Sequence, residues 1–147
     1  MARVLGVDYG EKRIGLAVSD PIGMIAQPLP TITRRRGKRP PYAEIERIAR
    51  ELEAVAIVVG LPLTSEGDES DWTRAVRAFG DRLAERTALP VYYVDERMTS
   101  ARAERTIRAS GLSRARRQQK DRVDAGAAMF ILQAHLDAIA RGNADDS

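Results

Sequence analysis

Hydrophobic residues in the first quarter of the chain follow the patterns of β-strands. Residues 3–8 form an apolar run that ends in Asp8, and across 13–18 large apolar side chains alternate with other residues. Gly10 between the two segments can adopt a positive φ, so together they predict a β-hairpin. A third strand is predicted at 26–33. It should lie at an edge of the sheet, because its two prolines cannot donate ladder hydrogen bonds.

Further along the chain, helical periodicity alternates with short apolar runs. A loop is expected to begin at Gly60. The order of elements predicts an α/β fold, with a mixed five-stranded sheet of three antiparallel strands followed by parallel ones, and helices on both faces. The spacing of apolar residues places strands at 54–59 and 91–94, and helices at 42–52, 70–86, 99–110 and 121–140.

The composition agrees with one globular domain and limits its chemistry. The chain has 147 residues, of which 44% are hydrophobic and 31% charged, so we expect a single domain at 1–142 and a flexible tail at 143–147. With no cysteine and His135 as the one histidine, a bound metal would have oxygen ligands, which favours Mg²⁺ or Mn²⁺. No apolar run suits a membrane span and no signal-peptide pattern is visible, so we expect a cytoplasmic protein without membrane contact.

Basic residues are concentrated in two segments. Residues 34–39 carry a net charge of +5 and residues 97–120 one of +7, so the rest of the chain carries −9 within a total of +3. Basic segments on an acidic body favour a nucleic-acid partner, although each segment alone could equally be a solvated face. The candidate nucleic-acid contacts are Arg34, Arg35, Arg36, Lys38, Arg39, Arg97, Arg114, Arg116, Arg117 and Lys120.

Acidic residues stand at the ends of two predicted strands. Asp8 ends the first strand, and Asp95 and Glu96 follow the strand at 91–94. In sheets of this kind, ligands bind beyond the carboxyl ends of the strands. Asp8 could instead serve the turn that follows it, and Asp95 or Glu96 the start of the next helix. Because side chains alternate along a strand, only one of Asp95 and Glu96 can point at the site, and the period does not say which.

A third acid, Asp124, lies on the apolar stripe of the last predicted helix. Positions 124, 127, 128, 131, 135 and 138 share this stripe and read Asp, Ala, Ala, Ile, His and Ala. Asp124 therefore faces the same way as residues that should pack on the sheet. The alternative role, an acid favoured by the helix dipole, suits Asp121 better, because Asp121 lies nearer to the predicted helix start.

Three converging carboxylates would repel one another and would be costly to bury without a cation. Mg²⁺ or Mn²⁺ would relieve this repulsion, and a pair of such ions can activate water and stabilise the leaving oxygen of a phosphodiester. Asp8, Asp124 and one of Asp95 and Glu96 would bind the metal, while the basic segments contact backbone phosphates. These residues predict a metal-dependent nuclease.

Four motifs resemble those of the YqgF (RuvX) family and together cover nearly the whole chain. They are Leu-Gly-Val-Asp-Tyr-Gly-Glu-Lys-Arg-Ile-Gly-Leu-Ala-Val-Ser-Asp at 5–20, Val-Gly-Leu-Pro-Leu at 59–63, Val-Asp-Glu-Arg-Met-Thr-Ser at 94–100 and Asp-Ala-Gly-Ala-Ala-Met-Phe-Ile-Leu-Gln at 124–133. The resemblance implies a bacterial, cytoplasmic nuclease with a ribonuclease H-like fold. The family is described as Holliday-junction resolvases or as the nuclease that matures the 5′ end of pre-16S rRNA.

By motif position, the resemblance implies that Asp8, Glu96 and Asp124 are the catalytic, metal-binding acids, which favours Glu96 over Asp95. The related RuvC-type resolvases carry a second acid three residues further along the last helix, where this chain has Ala127. One metal ligand fewer implies weak activity, or activity that depends on Mn²⁺ or on a partner.

The preferred interpretation is a nuclease of structured RNA, namely pre-16S rRNA, that acts as a monomer or weak homodimer. One alternative is a resolvase of branched DNA, which would need a symmetric dimer for two matched cuts. Another is a non-catalytic RNA-binding assembly factor that retains the fold. The Asp-x-Gly sequence at 8–10 also occurs in actin-like and sugar-kinase ATPases, but these need two such lobes, and 147 residues provide one.

Overall fold

A computed structural model describes residues 2–35, 39–99 and 120–145. The strands are β1 (Arg3–Tyr9), β2 (Arg13–Ser19), β3 (Ala26–Thr33), β4 (Ala54–Leu61) and β5 (Val91–Asp95). The helices are α1 (Tyr42–Glu51), α2 (Asp71–Thr87) and α3 (Lys120–Asp145), and a short 3₁₀ helix at Glu96–Met98 follows β5. The helix predicted at 99–110 lies outside the described residues, apart from position 99.

The strands form one mixed sheet in the order β3-β2-β1-β4-β5. β1 pairs antiparallel with β2, and β2 pairs antiparallel with β3. β4 joins the other side of β1 in parallel, and β5 extends the sheet in parallel beyond β4. The predicted mixed five-stranded sheet is confirmed, as is the edge position of β3, where Pro28 lies opposite Ala17.

Side chains alternate between two apolar layers, one on each face of the sheet. Leu5, Val7 and Tyr9 of β1 join a core layer with α1 and α2. Val4 lies in the other layer, which packs against the buried stripe of α3. The prediction of helices on both faces is therefore confirmed. None of the helices in the described ranges is both long enough and apolar enough to cross a lipid bilayer.

The carboxyl ends of β1, β4 and β5 lie along one edge of the sheet, called here the carboxyl edge. Since α1 and α2 each return the chain to the start of the next parallel strand, both helices begin at this edge. The start of α2 is stabilised by a reciprocal capping box, in which the Ser70 hydroxyl accepts from the Thr73 N–H and the Thr73 hydroxyl accepts from the Ser70 N–H. Thr73 also donates to the Pro62 carbonyl at 2.6 Å, which fixes the loop after β4.

Most element ends fall within one residue of the sequence prediction, and two differ by more. The loop expected to begin at Gly60 starts later, because Gly60 and Leu61 continue β4 and pair with Val94 and Asp95 of β5. Helix α3 continues past residue 140, where the prediction ended it, runs through Gly142 and reaches Asp145. Glycine inside a helix costs only about 1 kcal/mol relative to alanine, so it weakens a helix without necessarily ending it.

Candidate active site

Asp8 lies near the carboxyl end of β1, on the face of the sheet covered by α3. Its side chain is 4% exposed. Because side chains alternate along a strand, Asp8 points to the same face of the sheet as Val4, which packs in the α3 layer. Val7 points to the other face and packs in the layer with α1 and α2. Val7 pairs with Val59, so Asp8 lies beside Gly60 on the neighbouring strand, at the usual spacing of about 4.8 Å between strands.

Glu96 reaches the same place from the other side of β4. It is the first residue of the 3₁₀ helix after β5, and its side chain is 1% exposed. Its Oε1 atom lies directly over Gly60, so that a Cβ atom built at Gly60 would come within 2.6 Å of it. The two buried acids therefore flank Gly60, Asp8 on the adjacent strand and Glu96 above the glycine.

Asp95 has a different role from Glu96. Its Oδ1 accepts a hydrogen bond of 2.9 Å from the Arg97 N–H, which caps the 3₁₀ helix. The Arg97 guanidinium donates to both Asp95 oxygens, at 2.7 Å from Nη2 and 3.1 Å from Nε, and these hydrogen bonds raise the pKa of Arg97. The Asp95 carboxylate thus serves a local turn and ion pair, while Glu96 turns into the buried layer.

Helix α3 runs antiparallel to β1 and β4 across the sheet. His135 stacks on Tyr92 with ring centroids 5.2 Å apart, and Tyr92 pairs with Val58. Ile131, one turn earlier in the helix, lies against Gly60, which is nearer to the carboxyl edge. The N-terminal turns of α3 therefore extend toward the carboxyl edge. The backbone of Asp124 belongs to these turns, about 10 Å before Ile131 along the axis at 1.5 Å per residue; its side chain lies outside the described ones.

The chemistry of Asp8 and Glu96 suits a hard divalent cation. Both donors are carboxylate oxygens, which Mg²⁺ and Mn²⁺ prefer, and both are buried where uncompensated negative charge is costly. Among the side chains that the structure describes, no group of three or more Asp, Glu or His residues could hold a metal ion. A complete site thus needs a ligand from beyond this set, and Asp124 is the sequence-predicted candidate.

Arg34 is held in place by the β1–β2 hairpin. Its Nη1 donates to the Gly10 carbonyl at 3.0 Å, and its N–H donates to the Lys12 carbonyl at 2.8 Å. Its guanidinium lies 4.8 Å from the centre of the Tyr9 ring, which in turn stacks on Trp72. Arg34 therefore anchors the beginning of the basic segment at the carboxyl edge.

The other sequence-predicted nucleic-acid contacts divide into three groups. Arg35 and Arg39 are exposed, and Arg35 follows β3 at the carboxyl edge. Arg97 is engaged by Asp95 and by the Ser65 carbonyl at 3.2 Å, so it joins the end of β5 to the loop after β4. Arg36, Lys38, Arg114, Arg116 and Arg117 lie outside the described residues, and so does the side chain of Lys120.

The carboxyl edge carries groups of both signs. The three α-helices that the structure describes all begin there, and each N-terminus carries a partial positive charge from its free N–H groups. Lys12 and Arg35 lie at the same edge and are exposed, but so are Glu11 in the hairpin and Glu66, Asp68 and Glu69 in the loop before α2. Positive potential at this edge therefore comes from the helix N-termini and from individual basic side chains that lie among exposed acids.

Sequence reasoning missed Gly60, which it treated as the start of a loop. The structure instead shows a strand residue whose missing side chain gives space to Glu96 and Ile131. Gly6 has the same relation to α3, since a Cβ there would lie 2.8 Å from Leu132 Cβ. The available signal was the same in both cases, a glycine inside an apolar strand, which often marks close approach of another element.

Comparisons with known proteins identify relatives along most of the chain. A sequence model of the family described as "RuvX: Holliday junction resolvase" matches residues 2–138. A protein of Anaeromyxobacter dehalogenans (strain 2CP-C), named "Putative pre-16S rRNA nuclease", is 45% identical over 135 residues, which cover 92% of this chain and 96% of the relative. A protein of the same name from Moorella thermoacetica is 42% identical over 137 residues, covering 93% of this chain and 96% of the relative.

A solved structure confirms the fold. The RuvC protein of T. thermophilus, in complex with a Holliday junction substrate, matches with a TM-score of 0.58. The match covers 95% of this chain and 96% of that one, at 14% sequence identity. The predicted ribonuclease H-like architecture is therefore confirmed.

Proposed function

We propose, since the chain belongs to the RuvX family, that it is a nuclease that hydrolyses phosphodiester bonds, and that its substrate is the 5′ end of pre-16S rRNA. The observation that carries this proposal is the pair of buried acids, Asp8 and Glu96, on either side of Gly60 at the carboxyl edge. Burying carboxylates in an apolar layer costs free energy unless positive charge or hydrogen bonds offset it, and a divalent cation would do so. The names of the relatives from Anaeromyxobacter and Moorella support the choice of RNA.

Asp8, Glu96 and Asp124 are the residues that would hold a divalent metal ion, Mg²⁺ or Mn²⁺. When bound there, such an ion would activate water as a nucleophile and stabilise charge on the phosphate oxygens. The protein's own contribution is a pair of carboxylates held by β1 and the 3₁₀ helix after β5, shielded from bulk water by α3. Asp95 stays outside this set in the proposal, because Arg97 already engages its carboxylate.

Ala127 limits the number of metal ligands that α3 can supply. It is fully buried one turn after Asp124, in the layer between the helix and the sheet. An acid at this position would add a ligand, and alanine cannot. We therefore propose a site with weak affinity for a second metal ion, and slow turnover that is faster with Mn²⁺ than with Mg²⁺.

The RNA backbone would lie across the carboxyl edge in the proposed complex. Arg35 and Arg39 are exposed and free to contact phosphates, and the basic segment at 114–120 is the second proposed contact region. Helix N-termini at this edge add to the attraction. The protein would act in the cytoplasm as a monomer or weak homodimer, since cutting one RNA strand needs no second active site.

A second candidate function is resolution of branched DNA, favoured by the family's description and by the RuvC structure. One experiment separates the two. Purified protein would be incubated with a 5′-extended 16S rRNA precursor and with a four-way DNA junction, each with Mg²⁺, Mn²⁺ or EDTA. We expect cleavage of the RNA that depends on metal and is faster with Mn²⁺, and little cutting of the junction.

The other outcomes of this experiment identify the alternatives. Paired symmetric cuts in the junction, with intact RNA, would favour the resolvase. No cleavage of either substrate with any metal would favour a non-catalytic RNA-binding factor. Cleavage that persists in EDTA would contradict the proposed role of the acids.

Arg34 and Arg35 are neighbours in sequence, but we expect Arg35 to contribute to RNA binding and Arg34 to contribute to the stability of the fold. Arg35→Ala should reduce the salt dependence of RNA binding by roughly 0.7 to 0.9 in the slope of log K against log salt, the contribution of one phosphate contact. Arg34→Ala should lower the free energy of unfolding by about 1–3 kcal/mol, because it removes a hydrogen bond to Gly10 and the stacking on Tyr9. Salt titrations of RNA binding and chemical denaturation measure the two effects, and equal salt slopes for Arg35→Ala and the native protein would exclude a phosphate contact.

A further inference from the structure

Gly60 lies under the carboxylate of Glu96 with no space for a side chain. A Cβ atom at this position would come within 2.6 Å of Glu96 Oε1 and 2.9 Å of Ile131 Cγ1, and would meet Ile131 Cδ1 as well. Such distances are shorter than a van der Waals contact allows. Any side chain at position 60 must therefore displace the acid, the helix residue or both.

The need for glycine here is steric and does not come from the backbone. Gly60 is an ordinary strand residue, and the described glycines with a positive φ are Gly23 and Gly67. Alanine could adopt the same backbone conformation without strain. Position 60 therefore requires glycine because it lacks a Cβ, and the side chains of Glu96 and Ile131 occupy the space that a Cβ would need.

The Glu96 carboxylate is the group that a Cβ at position 60 would displace most easily. Both neighbours are enclosed, since Glu96 is 1% exposed and Ile131 is 0% exposed. Ile131 is β-branched and stiff at χ1, and its Cγ1 as well as its Cδ1 lies against position 60. Glu96 Oε1 is the end of an unbranched side chain with more rotatable bonds. A Cβ at position 60 would therefore shift the carboxylate away from β4 and from Asp8 on the far side of the glycine.

We propose that Gly60 is a positioning residue of the active site, which sets the place of the Glu96 carboxylate beside Asp8 and so determines the affinity for the divalent cation. This inference rests on the proposed function of the two acids. The effect of a Cβ at position 60 should also depend on the length of the acid at position 96. Glu96→Asp shortens that side chain by one methylene, so its carboxylate would lie further from the added Cβ.

Gly6 provides a matched control for the packing of α3 on the sheet. A Cβ there would meet Leu132 Cβ at 2.8 Å and the Ala128 carbonyl at 3.2 Å, but no acid. Gly6→Ala and Gly60→Ala should both lower the melting temperature of the metal-free protein, because each overpacks the interface with the same helix. They should differ in metal binding, which a merely structural role of Gly60 would not change.

The experiment is a calorimetric titration of the full chain with Mn²⁺, for the native protein and for Gly60→Ala, Gly6→Ala, Glu96→Asp and the Gly60→Ala, Glu96→Asp double variant. Gly60→Ala should weaken Mn²⁺ binding by roughly 10- to 100-fold, as expected when a group that orients a ligand is changed. Gly6→Ala should remain within about threefold of the native affinity. Glu96→Asp should weaken binding in the native background and strengthen it by at least about threefold in the Gly60→Ala background, as a sign of direct coupling.

The remaining outcomes separate this inference from the proposed function. If the native protein binds Mn²⁺ and Gly60→Ala binds it with the same affinity, the inference is overturned but the proposed function is not. The same holds if Gly6→Ala loses as much Mn²⁺ affinity as Gly60→Ala. A native protein that binds no Mn²⁺ would overturn both. If Gly60→Ala does not fold, the Gly60→Ala, Ile131→Val variant removes the nearest helix atom, leaves the contact with Glu96 and undergoes the same titration.

Discussion

Replacing Asp8 with Asn is expected to reduce the rate of RNA cleavage by roughly a thousandfold. The substitution keeps the shape of a side chain that is 4% exposed and removes its negative charge. A metal site contributes several kcal/mol to transition-state stabilisation, and each 1.36 kcal/mol corresponds to a factor of ten in rate. Single-turnover cleavage of the rRNA precursor with saturating Mn²⁺ measures this loss directly.

The control for this variant must show that the fold and RNA binding remain. Asn at position 8 removes a buried charge, so the free energy of unfolding of the metal-free protein should stay within about 1 kcal/mol of the native value. RNA affinity in EDTA should not fall. Glu11→Gln, an exposed acid in the same hairpin, should leave the cleavage rate unchanged. Full activity in Asp8→Asn would exclude Asp8 from the catalytic set.

The order of the elements was predictable because the hydrophobic pattern reflects burial directly. Strand β4 is apolar throughout and is buried at every position except Val55, whereas β3 contains Pro28 and Pro30 and lies at the edge. Asp8 was found as an acid at a strand end, which depends only on local sequence. These predictions needed no knowledge of which elements touch.

The positions that the sequence left open depend on contacts between distant segments. Asp95 and Glu96 could not be separated by alternation, because the chain turns into a 3₁₀ helix at Glu96 and no longer follows the period of a strand. Arg34 and Arg35 are identical in type, and the contacts of Arg34 with the Gly10 carbonyl and the Tyr9 ring distinguish them. Gly60 was predicted as the start of a loop, because a glycine after an apolar run usually signals a turn. Its strand conformation depends on pairing with β5 and on the approach of α3.

Glu96→Gln and Asp95→Asn form a matched pair, of which the first should reduce the cleavage rate far more than the second. Glu96→Gln should reduce cleavage by roughly a hundredfold or more, because it removes a carboxylate of the proposed metal site from a buried position against Gly60. Asp95→Asn should change the rate by less than about tenfold, since its carboxylate caps the 3₁₀ helix and pairs with Arg97. Single-turnover rates with Mn²⁺ and the apparent Mn²⁺ affinity compare the two variants.

The free energy of unfolding should show the reverse ranking, with the larger loss in Asp95→Asn. The two variants can therefore be told apart even if the cleavage rates are low. Asp95→Asn weakens charge-assisted hydrogen bonds to Arg97 and should lower the free energy of unfolding by about 1 kcal/mol, a modest value because the ion pair is partly exposed. Glu96→Gln in the absence of metal should cost less, since an amide is cheaper to bury than a carboxylate. If Asp95→Asn instead loses as much activity as Glu96→Gln while remaining folded, the Asp95 carboxylate must leave Arg97 during the reaction and join Asp8 at the metal.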